Sequence, residues 1–435
     1  MATSGFDPLT FSKDTLFFDT VFNQIETPVR RLWVRNPNRN AVEADIALEN
    51  ADGNSPYALV INGQETNRLA NVRILGEDSV LILVNANIEE QSSNEPLLIE
   101  DFIVLETEVA RQRIPVHAWG RNARLLRDYN VTSDETWTPE RPYVLLNNLI
   151  IDSLATLTLE AGVEVYGYPN AFFLVGGSLR IQGTAENPVR LTGLRQEAEY
   201  QNAAGQWGGI VTAQGSQLSE IVHAHIRNAV WGVRAGTPDN DTLPDVRIAH
   251  TIIENMADAG VLAFGSDVVL ENTLINNCLN QTFAGLAGGY YRLDHVTLAN
   301  FSFDFLRQDP SVAFANLFEA GGTRFEEDLT LICRNSILWG SLEEEIFISE
   351  EGNGEVSLLV ANSILKTQQN ERFDRNENLL NQDPRFVSPI LYDYRLDTLS
   401  PAQDAGRDIG LPTDLNGKAR NLPPDIGAYE YRDSL

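Results

Sequence analysis

The chain is expected to be all-β, a β-sandwich followed by a parallel β-helix, and three observations carry that expectation. The first ~120 residues alternate short β-rich runs with turn residues at the spacing of a sandwich. From residue 144 onward the runs shrink to three to five alternating residues, with Gly, Asn and Asp between them. A six-residue block then recurs: HAHIRN at 223, HTIIEN at 250, NTLINN at 272, HVTLAN at 295, NSILWG at 335 and NSILKT at 362. Its steps of 27, 22, 23, 40 and 27 residues, a period in the low twenties with longer insertions, are those of a solenoid.

The sandwich strands follow in order. RRLWVRNPN at 30–38 reads as a strand closing on an Asn-Pro turn, and ADIALEN at 44–50, YALVING at 57–63 and SVLILVNAN at 79–87 come next. DFIVLETE at 101–108 and RIPVHAWG at 113–120 complete the set. An N-terminal strand, the NP turn and a closing strand ending in Gly resemble the bacterial immunoglobulin-like domains related to those of cilia and spindle proteins. The expected division is an immunoglobulin-like sandwich over 1–120, a linker or N-terminal cap over 121–143, the β-helix over 144–380 and a C-terminal capping element over 381–435.

Within the block, place four is always Ile or Leu: Ile226, Ile253, Ile275, Leu298, Leu338 and Leu365. Place two is always small or β-branched, and side chains two apart share a strand face. An aliphatic beside a small residue suits the narrow interior of a coil. Place six is Asn228, Asn255, Asn277 and Asn300 in the first four copies. Asn tolerates left-handed backbone and can bond to its stacked neighbours at a turn. At roughly 23 residues per coil and ~4.8 Å per rung, about ten coils form a rod roughly 45–50 Å long. Its open ends need covers; the N-terminal domain with RNARLLRDYN is expected at one and the tail at the other.

LTLEAGVEVYG, GSLRIQGTAENPVRLTG and GQWGGI resemble the opening coils of right-handed parallel β-helix proteins with the pectate-lyase-like fold. The tail, DPRFVSPILYDYRLDTLSPAQDAG to DLNGKARNLPPDIGAYEY over 383–431, resembles the C-terminal element of secreted bacterial members. With the sandwich ahead of it, the arrangement is similar to cell-surface lipoproteins of Gram-negative bacteria, where the segment after a lipidated Cys looks like DPLTFSKDTLFFDTVF. The resemblance implies a right-handed coil, an extracellular or outer-membrane-surface location, and membrane contact only through a lipid anchor outside this sequence. MATSGFDPLTFSKD itself has neither the basic nor the hydrophobic region expected of a signal peptide.

A formal charge of −29, from 61 acidic and 32 basic side chains, disfavours nucleic acid, whose phosphates require clustered Lys and Arg. The two cysteines, Cys278 and Cys333, lie in different registers, one just after a block and one just before. Buried free thiols are expected there rather than a disulfide.

Three of the five histidines, His223, His250 and His295, hold place one of the block, which Asn fills elsewhere. A straight column supplies the three or four tetrahedral ligands of zinc poorly, so a structural ladder is expected ahead of a binding surface or a metal site. Asp245, Asp258, Asp267, Asp294 and Asp304 stand at unrelated registers, with no Asp-Asp pair and no basic partner at a matching place. The run Glu343–Glu345 reads as a solvated insertion. Calcium, which takes oxygen ligands, has its only candidates in the tail: Asp404, Asp408, Asp414 and Asp425. No other cofactor is expected. Trp231, Trp339, Tyr290 and Tyr291 are candidates for a sugar-stacking face, whereas Trp207 is expected to pack.

Two functions remain open at this point. One is a non-catalytic surface binding or scaffold protein that engages a glycan or an envelope protein along the rod. The other is a polysaccharide lyase or glycoside hydrolase of the same fold, a scaffold that hosts both kinds of protein.

Overall fold

The computed structural model describes residues 7–53, 55–236, 243–301, 303 and 305–432. They fall into two compact units, Met1–Ala123 with Gln196–Ala198, and Arg124–Arg195 with Glu199–Leu435.

In the first unit two five-stranded sheets enclose one core. One sheet runs Thr10–Phe11, Arg30–Arg35, Ser79–Ala86, Tyr57–Ile61 and Gln64–Glu65; the other runs Leu16–Phe22, Arg111–Arg121, Leu97–Glu106, Val42–Leu48 and Arg68–Ile74. All neighbouring pairs are antiparallel except Leu16–Phe22 against Arg111–Arg121. The alternation in RRLWVR shows the cause: Leu32 and Val34 point into the core while Arg31, Trp33 and Arg35 face out. Leu32, Ile46, Leu59, Ile82, Ile103 and Ile114, drawn from both sheets, meet in the middle.

The second unit is a parallel β-helix of three sheets, with 11, 9 and 9 strands. Every block forms a strand of the 11-stranded sheet, here sheet I: Ala224–Arg227, Ile252–Glu254, Leu274–Asn276, Thr297–Asn300, Ile337–Gly340 and Ile364–Leu365. Sheet II follows in each coil with Val233–Gly236, Val261–Phe264, Phe283–Leu286, Val312–Ala315 and their counterparts, and sheet III with Ser219–Val222, Val246–Ala249, Val268–Glu271 and theirs. Place-four side chains are no more than 2% exposed in all six copies. Beside them the place-two hydroxyls form an internal ladder. Each of Thr251, Thr273, Ser336 and Ser363 donates to a carbonyl two residues back at 2.9 Å. Ser336 and Ser363 also accept backbone N–H groups from the preceding coil.

The place-one residues share one conformation. His223, His250, Asn272, His295, Asn335 and Asn362 all have φ between 45 and 53°. They are the corner between sheets III and I, and His and Asn are among the non-glycine residues that tolerate left-handed backbone best. Asn228, Asn255 and Asn277 at place six turn the next corner the same way. Asn300 does not. It stays extended at the end of its strand, and its amide brackets Cys278, accepting from the Cys278 N–H and donating to the Cys278 carbonyl.

Three expectations are corrected. The segment 121–143 is not a linker, because Arg124–Leu126, Tyr129–Val131 and Glu135–Trp137 already form the first coil. The described part of the tail, 381–432, does not sit on the end of the rod. Phe373, in the short helix Asn370–Phe373, packs into the coil interior there. The tail instead lies over the outer face of sheet I, where Phe386, Tyr394, Leu396, Ala402, Leu415, Ile426 and Ala428 cover Leu274, Ala299, Ile337, Trp339 and Ile364. Nor is the acid run solvated throughout. Glu345 is fully buried, accepting from both terminal nitrogens of Arg307 at 2.7 Å and from the N–H groups of Ser311 and Leu342. No helix of the described residues is long and apolar enough to cross a membrane.

Candidate functional site

The histidine row is where the tail docks. His223 and His250 stack with ring centroids 4.7 Å apart, and His250 Nδ1 lies 2.9 Å from the Asp414 carbonyl. Burial lowers the pKa of both; the neighbouring His250 adds to this at His223, whereas at His250 the bond and charge of Asp414 oppose it and Arg420 adds a smaller part. His295 is deeper, and its pKa falls well below the ordinary value because of burial first and the charge of Arg420 second. Its Nε2 accepts from the Asn335 amide at 2.9 Å, a bond that a proton on that nitrogen would abolish. Asn335 in turn exchanges hydrogen bonds with the Arg407 backbone, and Asn272 accepts from Arg420.

The tail acids are spent on separate turns. Asp414 accepts from the N–H groups of Asn416, Lys418 and Glu430, and Asp425 from those of Asp404 and Tyr431. Asp408 closes a local turn onto Gly410, and Asp404 is exposed. Their oxygens do not fit a calcium shell, and among the described residues no three His, Cys, Asp or Glu are grouped to hold a metal. Burial pushes Asp425 up to about 6. Both thiols are free and buried, with pKa values pushed up to about 12 by desolvation.

The expectation that the coil acids stand at unrelated registers without a basic partner is corrected for three of them: Asp245 and Asp267 share one register on consecutive rungs, and Asp294 has Arg334 at the matching place. Asp245 accepts the Asp267 N–H and Asp267 the Tyr290 N–H, a rung-to-rung ladder at the start of sheet III. Asp294 holds Arg334 through both its oxygens, and Asp258 accepts from the Trp231 indole at 2.7 Å. Asp304 lies outside the described residues. Of the four aromatics expected to stack on sugar, Tyr291 is wholly inside the core and Trp339 is 7% exposed beneath the tail. Those two present no face to a ligand, which corrects the expectation for them. Trp207 packs, as expected, with its indole N–H on the Arg227 carbonyl. Trp231 and Tyr290 remain half-buried.

A concave feature combining apolar walls with a charged group involves residues that the sequence reading passed over. The hairpin Leu317–Ala320 and Thr323–Glu326 arches beside sheet II around a Gly321-Gly322 turn. Its Phe318, Ala320 and Phe325 face Arg234, Phe264 and the small floor residues Gly236, Gly265 and Ala287 across a groove of about 570 Å³. The guanidinium of Arg234 sits 5.2 Å from the Trp231 ring centre and 5.5 Å from that of Phe264. Phe264 meets Phe318 edge-on at 5.0 Å. Glu327 stands at the far end, its pKa raised by burial first and then by Asp267 and Asp328. The 40-residue step between the blocks at 295 and 335, with Gly-Gly inside alternating residues, was the available signal for this hairpin.

With this geometry in place, the comparison with known families has a structural counterpart. Residues 129–277 match the pectate-lyase like beta helix domain. The match begins in the first coil and ends at the corner after Leu274–Asn276, about a third of the chain. The three parallel sheets extend that β-helix architecture beyond the matched residues, to Leu380. No curated protein matches the chain. Among solved structures, the chain is similar to a family 123 glycoside hydrolase from Clostridium perfringens, described for glycolipid glycan hydrolysis, with 8% identity and a TM-score of 0.21. The similarity covers 30% of each chain and carries no argument about fold or function.

Proposed function

We propose that this chain is a non-catalytic binding or scaffold protein of the cell surface, engaging a glycan or an envelope protein along its β-helix. The observation that supports this reading is the hairpin groove. It combines a stacked guanidinium with three phenylalanines, while most nearby acids are engaged in structural bonds. Apolar pockets with a few convergent polar groups are the usual form of a binding site. Surface display rests on the resemblance of DPLTFSKDTLFFDTVF and of the tail to surface lipoproteins, and the −29 charge argues against nucleic acid as the partner.

One observation favours the second reading, a glycoside hydrolase. The pKa of Glu327 is raised by burial first and then by the charge of Asp267, and a carboxyl with a raised pKa near a second carboxylate is equipment for acid–base catalysis. A single experiment separates the readings. The chain and its Glu327→Gln variant are incubated with pectate, alginate, a glycosaminoglycan and a neutral β-glucan, and product chain length is followed. Polymers of undiminished length with either chain are the expected result. Depolymerisation abolished by Glu327→Gln would replace binding with hydrolysis.

A further inference from the structure

The groove also indicates the kind of ligand it takes. Among the described residues the Arg234 side chain makes no hydrogen bond and no ion pair; its guanidinium lies over the rings of Trp231 and Phe264. A guanidinium that meets its neighbours through ring faces keeps its N–H donors for another partner, and its planar fork matches a carboxylate in two parallel bonds. Among the described residues this cation has no counter-ion, in a chain carrying 61 acidic side chains, and an anionic group is the partner its chemistry suits.

The same stacking argues against a sugar. Ring-on-ring recognition needs an open aromatic face, but the guanidinium covers those of Trp231 and Phe264, and Phe318 meets Phe264 edge-on. Only Phe325, 50% exposed, stays open. Few polar groups remain to satisfy sugar hydroxyls: Glu326 is held by Arg324 and Asn353, leaving Gln214 and Glu327.

The floor steps across successive rungs at Gly236, Gly265 and Ala287, with the hairpin springing from the next strand. These four rungs are three steps apart, roughly 14 Å, about four residues of extended chain. We propose that the groove between the hairpin and sheet II binds an extended peptide segment of a partner protein, its carboxylate on Arg234 and its flanking aromatic or aliphatic side chains against Phe264, Phe318 and Phe325. This rests on the binding reading above and names its ligand class.

The test uses the full chain and nine fluorescein-labelled peptides GGXEZGG, with X and Z drawn from Phe, Leu and Val, beside the same nine with Gln for Glu. Fluorescence anisotropy is expected to show at least one Glu peptide binding tenfold or more tightly than its Gln partner. Arg234→Gln should erase that difference, Arg234→Lys should retain part of it, and Phe318→Ala should weaken both peptides of the pair. Both side chains are partly exposed, so melting temperatures near wild type should accompany these losses. Equal binding of Glu and Gln peptides, or binding of neither series, overturns the inference. If oligogalacturonate or a neutral oligosaccharide binds instead and is lost in Phe318→Ala, the binding function stands with a glycan as ligand and the peptide proposal fails.

Discussion

Replacing Arg420 with Met tests whether the tail is held on sheet I by one buried cation. The Arg420 side chain is 2% exposed and that of its partner Glu430 is 0% exposed. Its guanidinium reaches Glu430 at 3.3 Å, Asn272 at 2.8 Å and the carbonyls of Thr413, Gly427 and Ala428 at 3.0–3.3 Å. Removing one partner of a buried pair costs about 3–5 kcal/mol, because the other charge stays buried. Glu430 keeps the N–H groups of Asn421 and Asp425, which places the expectation near the lower end. The loss is local, since the tail can lift while the coils remain folded. Native-state hydrogen exchange reads it at Ile426, Gly427 and Ala428, whose N–H groups bond to Ala402, Asn335 and Thr297. Their protection should fall by about a hundredfold or more, at about 1.4 kcal/mol per factor of ten. Pairing the change with Glu430→Gln should restore part of it. Unchanged protection at all three amides would show that apolar packing alone holds the tail.

Three further outcomes are expected. A histidine with depressed pKa contributes stability that is present above its ordinary value near 6.5 and lost as pH falls below it; His295→Asn should therefore lose less melting temperature than wild type between pH 7 and 5. Asp425 acts in the opposite sense, its share being present below about 3.8 and lost as pH rises through about 6, and it remains in both proteins as a common offset. Ile253→Asp places a carboxylate in the dry interior and should cost on the order of 4 kcal/mol or prevent folding; a melting temperature within a degree or two of wild type would refute the coil register. Cys278 and Cys333, buried with pKa values near 12, should resist alkylation at pH 8 until the coils open; rapid labelling of the native chain would contradict their placement.

The coil register was legible because one periodicity dominates it: an aliphatic at place four, a small or β-branched residue at place two and a left-handed residue at place one recur in every copy. Left-handed backbone explains why His and Asn alternate there, a reason that treating the row as a ladder only approached. What could not be read is the outer face. Ile337 and Trp339 look like ordinary outward positions until a tail more than forty residues later covers them. Periodicity is local, and such a contact is not. Glu345 was misread for the same reason, since its partner Arg307 lies 38 residues earlier with nothing in the acid run to announce it. The groove depends on a hairpin inserted between repeats, and block-to-block comparison discards insertions.

The tail's attachment points also act as a length gauge. Solenoid genes readily gain or lose whole repeats, because each coil touches only its neighbours. Here the tail meets His250, Asn272, Asn277, Thr297 and Asn335, each on its own or an adjacent rung, through Asp414, Arg420, Tyr394, Ala428 and Arg407. Deleting one coil between 250 and 335 would shift part of that set by ~4.8 Å and leave several buried polar groups facing the wrong partners. Among the described residues no tail hydrogen bond reaches a coil upstream of His250, where the tail only comes alongside Ala185 at Gly417. Variants of this protein that differ in coil number should therefore differ before residue 250, where a duplicated or missing turn leaves the tail in register.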